Sequence, residues 1–399
     1  MMSTFGEMFD IDPKIRIAKN SEVPFVEMAD IEPWTRSVES KKRKKFSGGS
    51  KFLDGDVLVA RITPSLENGK TSIYRASQSD KQAPAGGSTE FIVVRGITGK
   101  SLSEFAYYLL RTADLRSHLI ANMNGSSGRQ RVHSTALHNY VVDLPPLDEQ
   151  RRIAGVLGTL DDKIESNLRT ISLSESLILA HFSQLFNSGH VSAGTALSDL
   201  MEVNPRYSLK RESLAIKVSM QDIPSDSPII NTHSVMPVGA GSRFSNGDVL
   251  FARISPCLEN GKTAVVDFLS GSEVGFGSTE FIILSPRGEI STTWIYALAR
   301  EPNFREACRQ AMSGSSGRQR LSADFFSRYT IATPKEFDLV AFNKATMPLL
   351  TLMGARRDEN QRLAHLRDAL LPELMSGRMW VDEAGCLVSE ALDEEVRSV

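Results

Sequence analysis

Apolar and polar positions along the chain fall into two textures. In the first, apolar residues recur every three or four positions over long stretches. Ile153, Leu157, Leu160, Ile164, Ile171, Ile178 and Leu185 keep alternating three- and four-residue steps, and Asn167, Ser174 and His181 fill the remaining seam positions. This single heptad-like stripe predicts a helix of about 35–40 residues, roughly 55–60 Å long at 1.5 Å per residue. Pro145-Pro146 stops the preceding segment, and Asp148 and Glu149 then fall in the first turn, where acids meet the positive end of the helix dipole. A second stripe, Leu349, Leu352, Leu363, Leu366 and Leu370, keeps the same rhythm, with Arg356 and Glu359 in its middle. Pro348 is expected in its first turn, and Pro372 to end or kink it. Neither stripe is wide enough for burial on several sides, so each helix is expected to bury the other's stripe. The plain alternative is that each packs on its own globular domain.

The second texture is shorter. Val57-Leu58-Val59-Ala60-Arg61-Ile62 and Phe91-Ile92-Val93-Val94 are β-branched runs bounded by Gly, Asp and Pro, which predicts strands. Between Leu102 and Leu119, Phe105, Tyr108, Leu109 and Leu115 recur near helical spacing, which predicts one helix, capped by Ser101 or Ser103. The globular part is therefore mixed α/β.

This globular part is written twice. Phe5 to Lys14 aligns with Leu197 to Arg206, Met28 to Ile31 with Met220 to Ile223, and Asp54 to Leu58 with Asn246 to Leu250, all 192 residues apart. Three blocks then match letter for letter. Leu66-Glu67-Asn68-Gly69-Lys70-Thr71 recurs from Leu258, Gly87-Ser88-Thr89-Glu90-Phe91-Ile92 from Gly277, and Gly125-Ser126-Ser127-Gly128-Arg129-Gln130-Arg131 from Gly314. The spacing shrinks from 192 to 190 to 189, so small deletions separate the blocks, as surface loops tolerate. Two like domains, each followed by a long helix, predict an antiparallel helix pair about a pseudo-two-fold axis.

Composition narrows the setting. The 399 residues are 41% hydrophobic and 24% charged, the balance of an ordinary soluble protein of two to four domains. No apolar run of about 18 residues offers a membrane span, and Met1 to Asp10 lacks the plan of a signal peptide. Cys257, Cys308 and Cys386 are odd in number and widely spaced, which suits a reducing cytosol, so a cytoplasmic location is expected. The net charge of −2 does not announce a nucleic-acid binder. Charge clustered on one face decides that question, and it lies in the motifs.

Asn68-Gly69-Lys70-Thr71 resembles the end of a phosphate-binding loop, but Pro64 and Pro256 stand where that motif needs its first glycine. Nucleotide binding is excluded there; the block reads as a turn presenting Lys70 and Lys262, or as a solvated hairpin tip. The glycine- and serine-rich loop is followed by donors. Arg forks to guanine, Gln pairs with adenine, and Ser and backbone amides suit phosphate. DNA contact is expected from among Ser127, Arg129, Gln130 and Arg131, and from Ser316, Arg318, Gln319 and Arg320. The alternative is a loop docked on its own domain. Arg61 and Arg253 end strands and join the candidates; Arg61 with Glu90 reads equally as an internal ion pair. Lys42, Arg43 and Lys44 lie in the one dense basic run, Lys41 to Lys45, which has no counterpart in the second copy. It reads as a phosphate clamp or a solvated loop. The seven histidines are scattered without metal-ligand spacing, so no metal site is expected. No nucleophile elbow and no methyltransferase motif of the Asn-Pro-Pro-Tyr kind is present, so no catalytic residue is expected.

Taken together, the chain resembles the specificity (S, HsdS) subunit of Type I restriction-modification systems. The features are two target-recognition domains each followed by a long helix, the segment Leu144-Pro145-Pro146-Leu147-Asp148-Glu149-Gln150-Arg151-Arg152-Ile153 and the segment from Glu359 to Gly377. The second copy departs from this pattern: Thr333-Pro334-Lys335-Glu336 replaces the Pro-Pro-Leu-x-Glu-Gln start. The resemblance implies target-recognition domains at 1–146 and 191–335, spacer helices at 147–190 and 336–380, and a tail at 381–399. It implies a non-catalytic subunit whose two domains each contact one half of a split site on double-stranded DNA, with the helices setting the gap. Methyltransferase subunits carrying S-adenosylmethionine would dock on it, and ATP-driven endonuclease subunits could join; this chain itself would bind no cofactor. The rival reading is an interaction scaffold without DNA sequence preference.

Overall fold

A strand made of Val57-Leu58-Val59-Ala60 cannot show the polar alternation of a surface strand, and in the structure it is buried at all four residues. Continuous apolar runs of this kind belong to strands covered on both faces. The structure is a computed structural model and describes residues 2–126, 128–186, 189–315 and 318–396. These divide into two units, one from residues 1–163 with 363–399 and the other from residues 164–362.

In the first unit, the buried strand sits inside a five-stranded sheet ordered Phe9–Ile11, Phe91–Gly96, Val57–Ala60, Thr71–Tyr74, Ser37–Val38. Phe91 pairs with Ala60 and Val94 with Val57, antiparallel. A four-stranded sheet ordered Lys42–Lys45, Glu22–Val26, Ala85–Gly87, Ser50–Phe52 meets it through a core of Val26, Phe52, Leu58, Tyr74 and Phe91. The second unit repeats the plan. Glu202–Val203, Phe281–Ser285, Val249–Ala252 and Thr263–Val265 form one sheet, and Ser234–Pro237, Leu214–Val218, Val274–Gly277 and Ser242–Ser245 the other. Phe281 pairs with Ala252 as Phe91 does with Ala60. The edge strand Ser37–Val38 is reduced there to a single bridge, Ile229 to Val265.

The single helix expected from Leu102 to Leu119 is two, Ser103–Arg111 and Ala113–Ala121, broken at Thr112 with ψ 145°. The second copy breaks at the same place, into Thr292–Arg300 and Pro302–Gln310, and there a proline opens the second helix. Neither serine caps the first helix, whose N-cap is Leu102. Ser101 instead bonds the Met8 carbonyl, and Ser103 accepts from the Gly96 amide at 3.0 Å, tying the helix to the strand before it.

The long helices run Leu147–Leu185 and Glu336–Met375. They pack on each other, and the stripe residues Ile153, Leu157, Leu160, Ile171 and Ile178 are buried. In the second unit the Asn167 amide donates to Asn360 at 2.9 Å, while the Phe186 ring lies 5.5 Å from Phe342, so the segments are antiparallel. In the first unit Arg367 donates to Asp161 at 2.6 Å. Pro348 is not in a first turn: the helix starts at Glu336 and carries it internally. Pro348 and Lys344 are both exposed, so water can serve the Lys344 carbonyl that proline cannot bond. The expected tail is helical from Val381 to Val396, because Val381, Ala384 and Val388 recur on one buried face.

Candidate nucleic-acid interface

Backbone pairing gathers the repeated blocks at one place in each unit. The amide of Arg61, just past its strand, donates to the Glu90 carbonyl at 2.9 Å, and its carbonyl accepts from Val132 at 2.9 Å. Thr63 donates to Gln130 at 3.0 Å. In the second unit Arg253 joins Glu280 at 3.0 Å, Leu321 joins Arg253 at 2.8 Å and Ser255 joins Gln319 at 3.0 Å. The peptide bonds Thr63-Pro64 and Ser255-Pro256 are both cis. The letter-for-letter repeats are thus one constellation, built twice with the same hydrogen bonds.

The side chains follow. Arg131 grips Glu90 with a fork, Nε to both carboxylate oxygens at 2.9 Å and Nη2 to Oε1 at 2.6 Å. Arg320 grips Glu280 at the same three distances. The carboxylate raises the pKa of each guanidinium above its ordinary value, and the Arg320 hydrogen bonds lower that of Glu280. Two expectations are corrected. The ion pair of Glu90 is with Arg131, not Arg61, whose Nε donates instead to the Val132 carbonyl at 3.1 Å. Arg131 and Arg320 are held arginines rather than free donors, because a carboxylate matches the guanidinium fork. Arg129, Arg318 and Gln319 are exposed and Gln130 half-buried, so they are the loop's presented donors. Ser127 and Ser316 lie outside the described residues. The loop needs its leading glycine: Gly125 has φ +131°, and a Cβ there would sit 3.0 Å from the Arg129 carbonyl oxygen.

Lys70 and Lys262 are not displayed on a hairpin tip. Their ammonium groups donate to the carbonyls of Met28 at 3.0 Å and Met220 at 2.8 Å, half-buried. The glycine before Lys70 has φ +75° and lies under the Trp34 ring, 2.6 Å from where a Cβ would stand, so the block is a packing turn. The basic run is a strand rather than a loop, and its period of two splits it. Lys42 and Lys44 bond Glu27 on one side; Arg43 bonds Asp80 at 2.8 Å on the other. Three of its five cations therefore meet carboxylates of their own domain. An edge strand rich in lysine also resists pairing with other strands.

A second set of cations was not singled out by motif. Lys14, Lys51 and Arg61 line an open groove of about 500 Å³ with Gly49, Ser50 and Thr89. The signal was in the repeat: Lys14 aligns with Arg206 and Lys51 with Arg243, so both positions stay basic in both copies. Arg243 donates to the Tyr207 carbonyl at 2.9 Å. Among the described residues, no cluster of three or more His, Cys, Asp or Glu is placed to hold a metal, and no helix is long and apolar enough to cross a membrane.

Comparison with known proteins places this geometry. Residues 1–172 match the model of the Type I restriction modification DNA specificity domain. The EcoEI specificity subunit of Escherichia coli is 29% identical over 184 residues, covering 44% of this chain and 30% of that protein. The chain thus spans about a third of that relative's length. The HindI specificity subunit of Haemophilus influenzae is 21% identical, covering 82% of this chain and 86% of that one. The crystal structure of a Type I restriction-modification S subunit from M. genitalium has the same fold, with a TM-score of 0.53 at 15% identity over 94% of this chain and 95% of that chain.

Proposed function

We propose that the chain, which is similar to the specificity subunits of Type I restriction-modification systems, reads DNA sequence for a partner enzyme and catalyses nothing itself. Each copy presents its Arg129-Gln130 or Arg318-Gln319 pair to base edges. The groove cations, Lys14, Lys51 and Arg61, and Arg206, Arg243 and Arg253 in the second copy, hold the phosphates. The two copies take the two halves of a split target, and the long helices set the gap and dock methyltransferase subunits. Endonuclease subunits join that assembly. S-adenosylmethionine and ATP belong to those partners. The observation that carries this reading is the repeated constellation: identical donors on identical hydrogen-bonded frames, twice in one chain.

The test is binding of the full chain, with its methyltransferase subunit, to duplexes selected from a random pool and to unselected duplex, at 50 and 200 mM salt. Affinity for unselected DNA is expected to fall steeply with salt, by about one power per phosphate contact, while selected DNA keeps a preference of roughly a thousandfold or more. Equal binding to both pools and a shallow salt slope would instead indicate the scaffold reading.

A further inference from the structure

The two copies treat one corner of the fold differently. The helix after the main sheet carries Tyr107 and Arg111 in the first copy, and Tyr296 and Arg300 at the same places in the second. In the second copy both converge on Glu175. The Tyr296 hydroxyl donates to Glu175 Oε1 at 2.5 Å, and Arg300 Nε lies 3.4 Å from that oxygen. Burial raises the pKa of this carboxyl, and the Tyr296 hydrogen bond and the Arg300 charge oppose the rise. Arg300 also donates to the Ser225 and Gly261 carbonyls, and the neighbouring Arg305 to those of Leu258 and Glu259.

In the first copy the arginine is as deeply placed, its side chain 4% exposed, but its surroundings differ. Arg111 Nη1 donates to the Tyr107 hydroxyl at 2.7 Å. The carboxylate beside it, Asp368, stands 3.7 Å from Nη2, is exposed, and takes hydrogen bonds from Arg367. The Nε groups of Arg111 and Arg116 are both buried with no hydrogen-bond partner among the described residues. A buried donor left unmet is costly, so two in one place are informative. Both guanidinium groups lie over the Trp34 ring, 5.4 and 4.5 Å from its centre, and that ring is 41% exposed. The Arg116 pKa is lowered, first by burial and then by the Arg111 charge, as that of its counterpart Arg305 is by burial and the Arg300 charge. An open groove of about 550 Å³ runs past these groups, with Phe105, Leu109, Leu371 and Met375 among its walls.

We propose that this groove seats a partner protein that inserts one acidic side chain, flanked by apolar ones, onto Arg111 and Arg116 against Trp34. The second copy's arginine lies 3.4 Å from a buried carboxylate of its own unit, and Arg111 lies 3.7 Å from an exposed one, so a carboxylate is the chemistry that this position takes. The apolar walls on either side of the cations suit a protein segment better than a free small acid, whose surface is nearly all polar. The groove includes Asp368, Leu371, Pro372 and Met375 of the helix Glu336–Met375, and the identity of the partner rests on the proposed function, which gives the long helices to the methyltransferase subunit.

The experiment uses the full chain labelled with 5-fluorotryptophan, whose three tryptophans, Trp34, Trp294 and Trp380, give three fluorine resonances. Adding unlabelled methyltransferase subunit is expected to shift the Trp34 resonance, while millimolar succinate leaves it in place. In parallel, Arg116→Gln is expected to weaken the complex on the order of 30-fold, as truncation of a buried charge pair does. Arg309→Gln, exposed on the second copy's counterpart helix, is expected to change it less than twofold. A Trp34 signal unmoved by the methyltransferase subunit, or an Arg116→Gln chain that binds like wild type, overturns the proposal. An equal shift with succinate alone gives the groove to a small acid and also overturns it. A wild-type chain that binds no methyltransferase subunit overturns this proposal and the assembly reading together. The fluorine readout on the wild-type chain stands even if Arg116→Gln fails to fold.

Discussion

At the level of single residues, the arginine–glutamate forks show how a motif divides into held and displayed side chains. Arg131 and Arg320 are spent on Glu90 and Glu280, which leaves Arg129 and Arg318 displayed beside them. Because Arg320 holds Glu280 below its ordinary value of 4.5, the pair has a pH signature. A depressed carboxyl stabilises the fold above the unfolded pKa, and that contribution is lost as pH falls through the folded value. Glu280→Gln is therefore expected to melt below wild type at neutral pH, with the difference closing as pH drops beneath about 4.5. Thermal unfolding across pH checks this; a gap independent of pH would mean that the fork contributes shape and not charge. The sequence could locate the seven-residue loop, because two copies kept it whole. It could not say which arginine was bound inward, since Glu90 lies 41 positions from Arg131 and only the folded sheet brings them together. Lys70 was equally illegible: its partner is the carbonyl of Met28, and a carbonyl carries no residue code.

Among the elements, the long helices were the most legible feature, because a three-four stripe over nearly forty residues fits little else. Their boundaries were less so. Lys335-Glu336 and Pro348 both offered a start, and tertiary packing of Leu339, Phe342 and Leu350 decided for the earlier one. The stripe also gave no notice of its buried charges. Asp161 accepts from Arg367 at 2.6 Å and from the Tyr108 hydroxyl at 2.7 Å, with Asp161 and Arg367 each less than a tenth exposed. Asp161→Ala leaves a buried guanidinium and a buried hydroxyl without their acceptor. The expected cost is about 3 kcal/mol, the low end for breaking a buried pair, because Asp368 still flanks Arg367 at 2.8 Å. Asp162→Ala, at a carboxylate 69% exposed, is expected to cost less than about 1 kcal/mol even though it pairs with Arg36. Urea unfolding of the two variants separates the cases, and equal losses would mean that the Asp161 network is as solvated as its neighbour.

For the molecule as a whole, the duplication carries a consequence for the target. The two copies agree in every residue of the glycine- and serine-rich loop and in the hydrogen bonds that frame it, yet differ on the flanking edge strands. Lys42-Arg43-Lys44-Lys45 faces solvent in one copy, and Ser234-Val235-Met236-Pro237 in the other. On the proposed reading, a shared loop implies a shared base step, and divergent edges imply divergent neighbours. The split target is therefore expected to be partly palindromic, with one common step in its two halves. Arg129→Ala should relax preference at that step in one half and Arg318→Ala in the other, each by roughly ten- to a hundredfold, as loss of a bidentate base contact does. Methylation mapping in cells carrying the system, repeated with each variant, tests this directly. Two unrelated half-sites would sever the shared loop from base recognition and leave it the frame of the domain, with sequence read by the edges where the copies differ.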